Sequence, residues 1–237
     1  MIEIKGLTKH FGHKQVLDNV TVTFEDGEVV GIIGPSGTGK TTMIKCMLGM
    51  EKIDGGTVTI NQKQMPNRAV LGDIGYMAQS DALYEDLTAR ENLKFFAQIY
   101  MTKGEDIQQR IEWCAEKVNL TQDLDQLVKN FSGGMKRRLS LAMSFLQNPQ
   151  ILILDEPTVG IDPKLRKSVW EDLYAFKGEG KAILITTHVL DEADRCDKLL
   201  LMNNGKIVAQ GTPTEIKGQY GADSIEDVFL KMGDEEK

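Results

Sequence analysis

The run Gly34-Pro35-Ser36-Gly37-Thr38-Gly39-Lys40-Thr41 follows the pattern GxxxxGK[ST]. Glycines at that spacing let consecutive backbone N–H groups turn inward around phosphate oxygens with no Cβ in the way. The lysine suits the β- and γ-phosphates, and the adjacent threonine hydroxyl suits Mg²⁺. Farther along, Asp155 and Glu156 follow the apolar run Ile151-Leu152-Ile153-Leu154. Acids at the C-terminal end of a buried strand stand where open α/β sheets hold their ligands. Asp155 suits Mg²⁺ held through water, and Glu156 suits a general base that takes a proton from water attacking the γ-phosphate. Alone, the pair is equally a solvated strand end. With a phosphate loop in the same chain it reads as hydrolytic machinery.

A third segment, Phe131-Ser132-Gly133-Gly134-Met135-Lys136-Arg137-Arg138, places a capping serine and two glycines before a helix. Ser132 suits an N-cap, and the glycines leave the helix start uncovered for an anion. The chain then has two helix N-termini suited to phosphate but one phosphate loop. A second copy resolves the mismatch: two chains head to tail bury two ATP molecules, each touched by both. The plain alternative is an ordinary capped helix. Lys136, Arg137 and Arg138 suggest a nucleic-acid or lipid contact, but three charges on a helix are usually a solvated face.

These groups need a scaffold, and the hydrophobic pattern supplies one. Ile2 and Ile4, then Val20, Val22 and Phe24, alternate with polar residues before a turn at Glu25–Glu28, as strands do. Val29–Ile33 is a short buried strand feeding the glycine loop, and a helix is expected over Thr41–Met50. Thr57–Ile60 resumes the strand pattern. Between Thr88 and Leu120 the period becomes helical, through Leu93, Phe96, Ala97 and Tyr100 and then Ile107, Ile111, Cys114 and Val118. Another helix is expected over Met135–Leu146, ending before Asn148-Pro149. Ile151–Leu154 and Ala182–Ile185 are continuously apolar, as in parallel strands covered on both faces. Asn204-Gly205 marks a hairpin between Leu199–Met202 and Lys206–Val208. The pattern implies an α/β nucleotide core, a β-rich N-terminal layer and a helical insert. The acidic tail Asp234–Lys237 is expected to fray.

Bulk properties narrow the partners. A net charge of −7 argues against general nucleic-acid binding, which needs a basic surface. No apolar run approaches the roughly 18 residues that span a bilayer, so a membrane role requires a partner. Cys46, Cys114 and Cys196 are scattered and have no metal-ligand spacing, the pattern of reduced thiols in a cytosolic protein. The opening MIEIKGLTKH has no signal-peptide core. His10 and His13 receive no role, and the scattered methionines read as core packing.

Over nearly its whole length the chain resembles the nucleotide-binding subunits of ATP-binding-cassette (ABC) transporters. Phe131–Met135 resembles the LSGGQ signature, with Phe for Leu and Met for Gln. The resemblance implies a P-loop NTPase fold (RecA-like core), an N-terminal antiparallel β layer and an inserted α-helical subdomain. It implies one ABC ATPase domain over 1–237: core at 1–82 and 150–220, helical subdomain at 83–149, tail at 221–237. Gln79 in Met77-Ala78-Gln79 resembles the glutamine that senses Mg²⁺ and couples to the membrane subunit. Val159-Gly160-Ile161-Asp162 resembles the D-loop that crosses the dimer interface, and His188 the switch histidine at the γ-phosphate. Phe11 stands where an aromatic ring stacks on adenine.

By the same resemblance, the catalytic pair is Glu156 with His188, and Mg²⁺ is held by Thr41, Gln79 and Asp155. The nucleotide set comprises Phe11, Val16, Gly34, Pro35, Ser36, Gly37, Thr38, Gly39, Lys40, Thr41, Thr42, Gln79, Ser132, Gly133, Gly134 and Asp162. The cofactors implied are ATP and Mg²⁺. The partners are an integral-membrane transporter subunit and a second ATPase subunit, with no nucleic acid, on the cytoplasmic face of the cell membrane. Met135 replaces an amide by a thioether, and activity is expected to survive because Ser132 and backbone N–H groups make the phosphate contacts. SGGMKRRLSLA and Ser224–Phe229 resemble the bacterial branch that exports drugs, antibiotics or ions. The rivals are a soluble ABC-type ATPase acting on ribosomes or DNA, and an ATP-binding regulatory module. The first usually has two cassettes or a long coiled coil, neither of which is present, and Glu156 with His188 speaks against the second.

Overall fold

A computed structural model describes residues 1–80, 82–101 and 106–235. Along the chain, β1 (Ile2–Phe11), β2 (Lys14–Phe24) and β3 (Val29–Ile33) precede α1 (Lys40–Met47). After β4 (Gly55–Ile60) and β5 (Lys63–Gln64) come α2 (Arg68–Leu71) and β6 (Ile74–Met77). Three helices follow: α3 (Ala89–Tyr100), α4 (Ile107–Lys117) and α5 (Gly133–Ser144). Next are β7 (Ile151–Asp155), α6 (Pro163–Gly178), β8 (Ala182–Thr187), β9 (Lys198–Asn203) and β10 (Lys206–Gly211). The last elements are α7 (Pro213–Tyr220) and α8 (Ile225–Glu235). The chain divides into two compact units, residues 1–67 with 184–237, and residues 68–183.

In the first unit, β1 pairs antiparallel with β2 and β4, and β4 with β5. This is the expected N-terminal antiparallel layer. Ile2, Ile4, Leu7, Leu17, Phe24 and Ile60 are fully buried, because alternation along each strand sends one set of side chains inward. Each such burial stabilises by about 1.5–3 kcal/mol. All five residues of β3 are buried, as the continuous apolar run predicts, and β3 lies parallel to β9. β9 returns as β10 through Asn204 (φ 46°) and Gly205 (φ 77°), whose positive angles match the hairpin expectation.

In the second unit, β6 runs parallel to β7. Helix α3 starts at a capping box, Thr88 with Glu91, and buries Leu93 and Ala97. Asn92 is fully buried beside them; its amide donates to the carbonyls of Tyr84 (3.0 Å) and Thr88 (2.9 Å) and accepts the Tyr84 N–H (2.9 Å). Elsewhere on this helix Phe96 is half-buried, and the remaining large apolar side chains, with Tyr84 ahead of the helix, face out. Tyr84, Phe95, Ile99 and Tyr100 are exposed, so the apolar period from Leu93 to Tyr100 describes a core stripe plus a second, outward one. In α4, Ile111 and Cys114 are buried, and Val118 just beyond its end is buried too.

Several boundaries differ from the sequence expectation. Helix α1 ends at Met47, before Gly49 (φ 73°). Helix α5 runs Gly133–Ser144, starting earlier because Ser132 caps it directly. β6 was too short to register by pattern. Helix α6, which the pattern reading omits, buries Leu165, Val169, Trp170, Leu173 and Phe176 at helical spacing behind a Pro163 start. The expected frayed tail from Asp234 begins inside α8, whose Ile225, Val228 and Met232 are buried; residues 236 and 237 lie outside the described residues. Among the described residues, no helix is long and apolar enough to cross a membrane.

Gly75 on β6 is fixed by packing. A Cβ there would lie 2.0 Å from the Ser144 carbonyl oxygen and 2.8 Å from Pro149 Cγ. Gly75→Ala is expected to lower unfolding stability by about 1–3 kcal/mol in urea titration, since backbone on one side must move.

Candidate functional site

The first unit carries the phosphate loop. Gly39 (φ 105°) is the N-cap of α1, and no side chain caps that terminus. The positive end of the helix dipole therefore faces the loop with no side chain over it, the arrangement that binds anions. Two neighbours explain the glycines. A Cβ on Gly34 would meet the Met202 carbonyl oxygen at 2.3 Å, and one on Gly39 the Val16 carbonyl oxygen at 2.8 Å. The hairpin turn braces the loop from behind: Gly205 N–H donates to the Thr38 carbonyl (3.2 Å), and Asp18 N–H donates to that of Gly205 (2.9 Å). Thr38 is itself buried, with its hydroxyl donating to the Pro35 carbonyl at 2.9 Å. Pro35, Ser36 and Gly37 form the exposed lip, and Gly37 (φ 83°) has open space at its Cβ position.

Lys40 is 7% exposed, and its ammonium donates to the carbonyls of Gly34 (2.6 Å) and Pro35 (3.0 Å). The charge is thereby held over the loop. Thr41 and Thr42 follow in the first turn of α1, both half-buried. Phe11 ends β1 with its ring 48% exposed, and the Lys9 ammonium sits 4.7 Å from the ring centroid. Val16 is half-buried on β2. His188 is exposed just after β8. Its turn is held by Thr187, whose hydroxyl accepts the Val189 N–H (2.9 Å) and donates to buried Glu192 (3.1 Å).

The second unit carries the carboxylates and the serine-led helix tip. Asp155 is the last residue of β7 and 1% exposed. Glu156 is half-buried with φ 57°, a left-handed conformation that costs a non-glycine residue about 1–3 kcal/mol and concentrates at functional sites. Tyr76 on β6 has its hydroxyl pushed up to about 12, mainly by burial and further by the Asp155 charge, with Arg137 opposing. Gln79 is exposed in the loop after β6.

At α5, the Ser132 hydroxyl accepts the Met135 N–H (3.2 Å), as the N-cap expectation requires, and keeps its own proton available for an acceptor. The two glycines beside it are glycine for different reasons. A Cβ on Gly134 would lie 2.9 Å from the Gly160 carbonyl oxygen, whereas one on Gly133 would meet nothing within 4 Å. Asp162 caps α6, accepting the N–H of Leu165 (3.0 Å) and Lys164 (3.1 Å); the Leu165 bond foremost holds its carboxyl below the usual aspartate range.

The basic triplet is not the solvated face expected. Arg137 is 7% exposed and turned inward, Arg138 donates to the Asn119 carbonyl (2.8 Å), and Lys136 pairs with Glu85. A helical signal for Arg137 was present: it shares a face with buried Leu141 and Ser144. Thr158 was also missed; its hydroxyl is buried without a hydrogen-bond partner just after Glu156.

The donors expected for Mg²⁺ are a hydroxyl at Thr41, an amide oxygen at Gln79 and a carboxylate at Asp155. Among the described residues there is no group of three or more His, Cys, Asp or Glu able to hold a metal. Hydroxyl, amide and carboxylate oxygens are the donor types that suit Mg²⁺, which retains waters and phosphate oxygens beside them.

A family model described as ABC transporter matches residues 17–159. The Nod factor export ATP-binding protein I of Ralstonia nicotianae (strain ATCC BAA-1114 / GMI1000) is 37% identical over 230 residues, 95% of this chain and 72% of that protein. A solved ATP-binding subunit of an ABC transporter superposes with a TM-score of 0.91 at 30% identity, covering 98% of this chain and 99% of the other. A dimeric ATP-binding cassette in a post-hydrolysis state, bound to ADP and Pi, gives a TM-score of 0.82 at 26% identity, covering 90% and 98%.

The contrast between the paired glycines is measurable in the unliganded chain. Gly134→Ala is expected to destabilise by about 1–3 kcal/mol through the Gly160 clash. Gly133→Ala is expected to be neutral or to stabilise by up to about 1 kcal/mol, since helix backbone there accepts alanine. Thermal unfolding of the two variants side by side tests the assignment.

Proposed function

This chain belongs to the ABC transporter family, and from that premise we propose that two copies close head to tail on two ATP molecules to energise export through a separate membrane subunit. It is an ATPase subunit with the P-loop NTPase fold, working with ATP and Mg²⁺ alongside a membrane transporter partner. Export as the direction is supported by the Nod factor export protein among its relatives. The peripheral position on the cytoplasmic face follows from the partnership.

The observation that carries the dimer is Gly133. Among the described residues nothing lies within 4 Å of a Cβ built there, so the helix tip is open to a group that approaches from outside. Beside it are the Ser132 hydroxyl and the N-terminus of α5, which suit the γ-phosphate of a nucleotide held by the other copy. On its own nucleotide, each chain contributes the amides of Gly34–Gly39 and Lys40 to the phosphates. Phe11 and Val16 pack the adenine, and Thr42 lies at the helix tip near the phosphates. Thr41, Asp155 and Gln79 would hold Mg²⁺, which would neutralise charge building on the phosphate oxygens.

Glu156 accepts the proton of the attacking water, while His188 holds the γ-phosphate and that water in place. Asp162, with the 159–162 loop it anchors, lies where the two chains cross. The segment from Leu83 to Leu93 then moves with the nucleotide and pushes on a cytoplasmic helix of the membrane subunit. The outward rings of Tyr84, Phe95 and Tyr100 give this part of the protein an apolar face for that contact.

Two substitutions test the assignment. Glu156→Gln is expected to bind ATP, accumulate as a dimer in size-exclusion chromatography, and release phosphate on the order of 10²–10⁴ times more slowly. Wild-type turnover in that variant removes Glu156 as the base. Lys40→Ala is expected to lose tight ATP binding by fluorescence titration, and retained affinity would contradict the phosphate-loop assignment.

A further inference from the structure

We infer that Arg137 is a positioning residue that fastens α5 to the backbone bearing the hydrolytic carboxylates of the same chain and so couples the two nucleotide sites of the dimer. This rests on the head-to-tail dimer proposed above. There, Ser132–Gly134 serves the nucleotide of the other copy, while Glu156 serves the nucleotide on its own phosphate loop.

The geometry is that of a cross-brace. Arg137 lies in the second turn of α5, and its guanidinium reaches two separate segments. One terminal nitrogen donates to the carbonyls of Ala78 (2.7 Å) and Gln79 (3.1 Å). The other donates to the carbonyls of Glu156 (2.7 Å) and Asp155. Two arms of one rigid plane thus hold the loop that bears Gln79 and the strand end that bears Asp155 and Glu156. A guanidinium is planar, so α5 cannot turn or slide without dragging both segments or breaking bonds to one of them.

Glu156 is the residue for which that matters most. Its backbone sits at φ 57°, and its carbonyl accepts from both Arg137 and the Val159 N–H (3.3 Å). A conformation that a glutamate rarely adopts needs fixed partners to persist. With Arg137 as one of them, the orientation of the carboxylate depends on where α5 stands. Helix α5 in turn stands where its tip meets the nucleotide of the other copy. Engagement at one site is thereby felt at the base of the other.

The test compares wild type, Arg137→Gln and Arg137→Lys as full-length protein. ATPase rate is measured against ATP concentration, and ATP-dependent dimerisation is measured in a Glu156→Gln background. Wild type is expected to give a Hill coefficient above unity. Arg137→Gln is expected to lose about 10²-fold in kcat, the scale of a misplaced reacting group, with the Hill coefficient falling to unity. KM and ATP-driven dimerisation are expected to stay within about twofold, because neither phosphate contact is touched. Arg137→Lys keeps the charge but cannot span both segments, so cooperativity stays lost; it carries the test if the glutamine variant fails to fold.

Wild-type kcat and cooperativity in the folded Lys variant overturn the inference, as does a loss in either variant that falls on dimerisation instead. If wild type itself gives a coefficient of unity and Glu156→Gln never dimerises with ATP, the dimer reading fails and this coupling fails with it. Cooperative wild type with equally cooperative variants removes the coupling alone.

Discussion

Helix α1 begins without a capping side chain, and that single omission organises the first unit. A helix start leaves amide hydrogens unsatisfied and carries roughly half a positive charge. Gly39, at φ 105°, turns the chain into the helix at an angle few other residues tolerate. The close approach of Val16 and Met202 carbonyls removes space for side chains behind the loop. Gly39 is thus demanded twice, by backbone angle and by packing, Gly34 by packing and Gly37 by backbone angle. Lys40 completes the arrangement by bringing a buried ammonium to the same place.

In the second unit the corresponding constraint is electrostatic. Strand β7 ends in a nearly inaccessible aspartate followed by a glutamate in a strained conformation. Carbonyl groups at a strand end need donors, and here a buried guanidinium provides them. The same side chain takes up the carbonyls of the glutamine loop. Replacing it with an apolar residue would leave several buried acceptors short of partners. The two glycines at the start of α5 divide in a similar way, one shaped by the Gly160 carbonyl and the other with nothing within 4 Å of its Cβ position among the described residues.

The parts most legible in the sequence were those where pattern and chemistry agree. The apolar run of β3 and the glycines after it specify strand and loop together, and Asn204-Gly205 specifies its turn through backbone angles. Ser132 as a cap and the strands of the N-terminal layer were equally open to reading, whereas their antiparallel pairing came from the family resemblance. What escaped depended on contacts between distant residues. Arg137 looked like one of three surface charges because its acceptors at 78, 79, 155 and 156 are backbone atoms, which have no letter in the sequence. Asn92 and Thr158 disappeared for the same reason, since burial of a small polar side chain is decided by tertiary packing. Tyr100 failed in the opposite sense: its helical spacing was right, yet the period could not say which of two apolar stripes meets the core. Helix α6 was present in the spacing of Leu165, Val169, Leu173 and Phe176 and needed only a window placed after Pro163.

The cysteines have a practical consequence. All three are free and buried, and burial lifts the thiols of Cys46 to about 11 and of Cys114 and Cys196 to about 12. At neutral pH almost none is present as thiolate, the form that alkylating reagents attack. The native chain therefore offers a silent background for site-directed labelling. A cysteine introduced on the surface would be modified by maleimide while the endogenous three stay unreacted, so spectroscopic probes and cross-links can be installed without first removing them.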